Sequence, residues 1–128
     1  MSSTNGADGG SVTLSVPARP EYLRLVRLAA ADTGARAELS IEEIDDLRTA
    51  VDELSYALIG EDPLEGTLSL RYAASPGAVT IEGSCVAPDG PLEVSQLSKS
   101  IIGAVVDEHE ISDRDGMRRF RLVKRRRT

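Results

Sequence analysis

The sequence predicts an α+β fold, a two-layer sandwich with three helices on one face of a mixed, mostly antiparallel sheet. Three observations predict it. Apolar residues recur at helical spacing in three stretches and alternate at strand spacing in five. Their order is strand, helix, helix, strand, strand, helix, strand, strand. Strand pairs joined by short turns form hairpins, which a doubly wound parallel sheet does not contain.

Residues 1 to 10 carry almost nothing to bury and are expected to form a disordered tail. The first strand is "SVTLSVP", with Val12, Leu14 and Val16 on one face and Pro17 at its end. Pro20 then suits a helix N1 position, and "EYLRLVRLAAADTG" places Tyr22, Leu25, Val26, Ala29 and Ala30 on one side, with Gly34 as the stop.

The second helix opens with "LSIEEI". Ser40 and Glu43 have capping-box spacing, and Leu39 and Ile44 have that of a hydrophobic staple. Its stripe of Ile44, Leu47, Val51, Leu54 and Leu58 steps by three and four, and Gly60 and Pro63 end it. A hairpin follows, with Leu68, Leu70 and Tyr72 on one strand, the turn "SPG", and Val79 and Ile81 on the other.

After the loop "CVAPDGP", the third helix is expected to put Val94, Leu97, Ile101 and Val105 on one side. "HEISD", "RDG" and "MRRFRLVKR" make the last hairpin, with Phe120 and Leu122 inward. One domain over residues 11 to 125 is expected, followed by a basic tail at 126 to 128.

Composition narrows the function. The chain has 128 residues and a net charge of -6, unevenly spread. Residues 1 to 113 hold seven basic and twenty acidic side chains; residues 114 to 128 hold eight basic and one acidic. An acidic body suits charge-complementary protein contacts better than nucleic acid. No apolar run reaches the roughly 20 residues of a membrane span, and the start carries no secretory pattern, so the cytoplasm is the expected location. One cysteine and one histidine give neither a disulfide nor a Cys/His metal cluster.

Glu53 is the candidate catalytic residue, in "AVDELSYALIG". The residues alone leave two readings open. It lies about 130° from the centre of the apolar stripe, as a solvated acid would. Alternatively, Ala50 and Ala57 floor a shallow pocket beside it. Arg48 and Asp52 have the spacing of an exposed ion pair. His109 reads as a strand-surface residue, Cys85 as a small packed hydrophobe, and "KRRR" from Lys124 to Arg127 as a solvated run with a possible role in contacting phosphate or an acidic partner.

From Val16 to Ile59 the sequence "VPARPEYLRLVRLAAADTGARAELSIEEIDDLRTAVDELSYALI" resembles the bacterial anti-sigma-factor serine/threonine kinases of the histidine-kinase-like ATPase superfamily, with the Bergerat fold. The resemblance implies a histidine-kinase-like ATPase domain. It places Glu53 on the family's catalytic glutamate and Ala57 on the asparagine that coordinates the magnesium of ATP. An alanine methyl offers Mg²⁺ no oxygen. The family's Asp-x-Gly for adenine falls at Gly83, Ser84 and Cys85, where no carboxylate stands; Asp89 and Gly90 serve only in a shifted register. Its Gly-rich lid and helix entry are replaced by "LEVSQLSKS", and the loop from Cys85 to Leu92 is short for such a lid.

The resemblance therefore implies an anti-sigma-like regulator that binds a sigma factor or its antagonist, with ATP binding lost or weak, no cofactor, and Glu53 vestigial. Arg19, Glu21, Arg24 and Arg27 are the implied partner-binding residues, with a homodimer possible. Two alternatives stand beside it. One is an active serine/threonine kinase using Mg-ATP on an anti-sigma antagonist, and the other is a nucleic-acid contact protein using the basic C-terminus.

Overall fold

A computed structural model describes residues 10–60, 65–86 and 91–127. The tail at 1–9, Pro63, Asp89 and Gly90 with most of their loop, and Thr128 lie outside the described residues.

The elements follow the expected order. β1 (Ser11–Pro17) leads through a 3-10 turn at Pro20–Tyr22 into α1 (Leu23–Arg36), and α2 (Ile41–Ile59) comes next. β2 (Thr67–Ser75) and β3 (Ala78–Val86) form one hairpin; α3 (Gln96–Val105) precedes a second, of β4 (Glu108–Arg114) and β5 (Met117–Arg125).

The strands make one sheet in the order β1-β2-β3-β5-β4, and every neighbouring pair is antiparallel. The sheet is thus wholly antiparallel rather than mixed. β3 and β4, on either side of the α3 crossover, do run parallel, but β5 lies between them.

Alternation assigns the two faces. Leu68, Leu70, Tyr72 and Ala74 of β2, and Val79, Ile81 and Cys85 of β3, are buried under the helices. α1 lies against β2, and α2, with its stripe of Leu47, Val51, Leu54 and Leu58 fully buried, lies against β3 and β5. Both capping-box hydrogen bonds are present: Glu43 N–H donates to Ser40 Oγ at 3.1 Å, and Ser40 N–H donates to Glu43 Oε1 at 2.8 Å. Tyr72 ties α1 to the sheet, its hydroxyl donating to the Val26 carbonyl at 3.0 Å.

Three expectations are corrected. Gly34 does not stop α1, which runs on to Arg36; Glu38, at φ 64°, makes the left-handed turn. Gly34 is there because α2 crosses close by, and a Cβ would come within 2.9 Å of Ile44 Cγ1. In α1, Leu25 is 47% exposed rather than inward. In α3, Val94 precedes the helix and Leu97 is 71% exposed, while Ile102 is the buried residue. The short helix lies rotated so that Ser98 and Ile102, rather than Leu97, turn towards the body.

Candidate functional site

α2 carries Glu53 on the flank of its buried stripe, where it is half-buried. α3 reaches it: Ser98 Oγ donates to Glu53 Oε1 at 2.8 Å. Ser95 is the N-cap of α3 and accepts the backbone N–H of Ser98 at 3.0 Å. The capping turn therefore sets the backbone of Ser98 while its side chain is spent on Glu53. A carboxylate at a helix N-terminus is also favoured by the helix dipole.

The depression next to Glu53 has a volume of about 450 Å³ and is polar, lined by Arg27, Asp45, Arg48, Thr49, Asp52 and Glu53. The expected floor of Ala50 and Ala57 is not what forms it: Ala50 is fully buried in the core, and neither alanine lines the depression. Nor do Arg48 and Asp52 pair. Asp52 Oδ1 accepts from Arg27 Nη1 of α1 at 2.6 Å, and Arg48 Nη1 donates instead to Asp45 at 3.3 Å.

The donor set around Glu53 does not suit Mg²⁺, which takes oxygen ligands in octahedral geometry. One carboxylate oxygen of Glu53 is engaged by Ser98, Ala57 one turn on supplies a methyl group, and the neighbouring Asp52 is held by Arg27. At the end of β3, Gly83 packs under Phe120 and Cys85 is buried with its thiol donating to the Leu58 carbonyl at 3.6 Å. Burial pushes the Cys85 thiol above its ordinary pKa, with Arg118 opposing. These positions present no carboxylate to an adenine amino group.

The four implied partner-binding residues divide. Arg19 and Glu21 pair with each other at 3.2 Å on the exposed entry to α1, and Arg24 is exposed. Arg27 is half-buried and committed to Asp52. His109 is exposed on β4 as expected.

The basic C-terminal run is largely tied to the body. Lys124 is buried, its ammonium donating to Asp46 Oδ2 at 3.2 Å and to the Val105 carbonyl at 2.8 Å. Arg126 N–H donates to the Gly77 carbonyl and Arg127 N–H to Glu43 Oε2, both at 2.7 Å. Alternation along β5 carries the signal: Lys124 shares the parity of Phe120 and Leu122, the inward face.

Sequence reasoning missed three residues that hold this region. Ser98 meets Glu53, Lys124 closes the other end of α3, and buried Arg118 donates from Nη1 to the Leu58 carbonyl at 3.1 Å near the C-terminus of α2. Arg118 also has the β5 parity of the core, and its cation complements the negative end of the helix dipole.

No family model matches the chain. Among curated proteins, the Serine-protein kinase RsbW of Listeria monocytogenes serotype 4a is 39% identical over 66 residues, covering 48% of this chain and 41% of the relative. Its namesakes from Listeria innocua serovar 6a and Bacillus pumilus are 38% and 32% identical over 66 residues, with the same coverage. The likeness to serine-kinase proteins is thus found in about half of this chain, and the match spans about two fifths of the relatives' length.

Proposed function

We propose that this chain is a regulatory protein of the anti-sigma kind, which binds a sigma factor or its antagonist and has lost, or nearly lost, the binding of ATP. The observation that carries this reading is the hydrogen bond from Ser98 to Glu53. It uses the one residue kept from the implied catalytic pair to join α2 to α3. Ala57 leaves no metal-binding oxygen one turn on, so Glu53 acts here in fold maintenance. The exposed start of α1, with Arg19, Glu21 and Arg24, is the surface offered to the protein partner.

The kinase alternative draws support from the name of the relatives and from Glu53 itself, an acid within hydrogen-bond reach of a serine hydroxyl. Phosphoryl transfer depends chiefly on holding metal and phosphates in place, and the residues above do not provide for it. The nucleic-acid alternative is weakened because Lys124 is buried against Asp46.

Two measurements test the proposal together. A protein that binds Mg-ATP melts at a higher temperature in its presence; a flat thermal-shift titration to millimolar Mg-ATP is expected. Purified sigma factors and antagonists from the same cell, titrated calorimetrically, should include at least one that binds. A Mg-ATP shift with phosphate transfer to an antagonist would establish the kinase instead, and no binding to any of them would overturn the regulatory reading.

A further inference from the structure

Among the described residues, nothing covers the face of the sheet turned away from the helices. A depression of about 840 Å³ crosses it, with Arg71, Arg114, Arg119 and Arg121 against Glu82 and Glu110 among its charged lining. In a chain whose net charge is -6, four cations against two anions make this face a positive window in an acidic body.

Internal pairing does not use up that charge. Arg71 pairs with Glu82 at 3.5 Å, and Arg121 lies 3.8 Å from Glu108. Arg114 and Arg119 make no ion pair or side-chain hydrogen bond among the described residues. The sheet register sets Arg119 in a row with hydroxyls from every other strand, Ser15, Ser69 and Ser84 on one side and Ser112 on the other. The next row holds Thr13, Arg71, Glu82, Arg121 and Glu110.

We infer that this outer sheet face is a docking surface for an acidic protein segment. The size argues for a segment rather than a single anion: five strands at about 4.8 Å spacing give a row roughly 19 Å long, the reach of five or six extended residues. Arginine forks receive carboxylates in bidentate pairs, and the serines supply donors and acceptors for the segment's backbone between them. Nucleic acid is disfavoured on the same surface because Phe120, the one aromatic residue in its lining, is 3% exposed with its ring in the core and leaves nothing for base stacking. The surface lies on the opposite side of the sheet from α1, so it is separate from the partner surface proposed above and does not depend on it.

The test is fluorescence anisotropy of the whole chain with a labelled Asp/Glu-rich dodecapeptide, its Asn/Gln counterpart, and a single-stranded oligonucleotide. The acidic peptide alone should bind, more weakly as salt rises. The double variant Arg114→Glu with Arg119→Glu should weaken it by about tenfold or more, and Glu110→Gln should tighten it. Both variants change exposed side chains, so an unchanged melting temperature shows that the fold is intact; Arg119→Gln gives a milder version of the same loss. Equal binding of the neutral peptide, or an acidic peptide that binds the folded double variant as well as the parent, overturns the inference. So does release of the peptide by millimolar inorganic phosphate, which would assign the face to a small anion, or preferential binding of the oligonucleotide. Sedimentation provides the last arm: a dimer that Arg119→Glu dissociates would give the face to a second copy.

Discussion

Ser98 Oγ and Glu53 Oε1 lie 2.8 Å apart, and this bond joins the first turn of α3 to the middle of α2. α3 is ten residues long and buries one residue completely, Ile102. An isolated helix of that length is marginal in water, so its polar attachments matter. Ser98→Ala should cost about 1 kcal/mol, the usual size for a hydrogen bond of this kind, because it strands part of a half-buried carboxylate. Glu53→Gln, which keeps an amide oxygen as acceptor, should cost less. Urea denaturation of the two variants checks this, and an unchanged midpoint for Ser98→Ala would mean the bond contributes nothing.

At the other end of α3, Lys124 donates to the Val105 carbonyl and to Asp46, so one ammonium joins β5, α3 and α2. The lysine side chain is 4% exposed and that of Asp46 34%. Removing one partner of a fully buried pair costs about 3 to 5 kcal/mol; with Asp46 partly in water the loss from Asp46→Asn should fall below that range, near 1 to 2 kcal/mol. Lys124→Met keeps the volume and removes the charge, leaving Asp46 close enough to solvent to rehydrate. It should therefore be better tolerated than Lys124→Ala, which also opens a cavity. Thermal melts of the three variants give the order, and Lys124→Ala as stable as Lys124→Met would refute it.

The order of elements and the α2 core stripe were legible because burial imposes a period on the sequence. Leu47, Val51, Leu54 and Leu58 repeat at helical spacing, and Leu68, Leu70 and Tyr72 at strand spacing. The capping box was legible because Ser40 and Glu43 are close in sequence. Long-range polar contacts leave no such trace. Ser98 and Glu53 are 45 residues apart, Lys124 and Asp46 78 apart. Spacing within α2 suggested Arg48 for Asp52, but a geometry available only after α1 and α2 pack gives Asp52 to Arg27. Lys124 was hidden by its composition, a lysine in a basic run, although its parity in β5 marked it as inward.

Acid should weaken the fold through Glu43. Its carboxylate accepts N–H donors from Ser40 and Arg127, which hold its pKa below the ordinary value of 4.5. A carboxyl with a depressed folded pKa binds protons more readily when unfolded. Its contribution is therefore fully present above pH 4.5 and is lost as the pH falls through the folded pKa. Glu43→Gln removes that titration. The stability gap between parent and variant should be widest near neutrality and close steadily under acid; a gap that stays constant with pH would contradict the assignment.

Gly83 should be intolerant of even a methyl group. On the buried face of β3 it stands opposite Phe120 of β5, and a Cβ there would lie 2.3 Å from Phe120 Cε2 and 2.8 Å from Cζ. The ring cannot move aside freely, since it is 3% exposed within the core. Overpacking of this sort typically costs about 1 to 3 kcal/mol, and Gly83→Ala is expected within that range. Phe120→Leu vacates ring volume and is itself destabilising. Combined with Gly83→Ala it should cost less than the two single changes added, because the smaller side chain leaves room for the new methyl. Chemical denaturation of the four proteins in this double-mutant cycle measures the coupling. Strict additivity would show that the strand pair accommodates the methyl by another route.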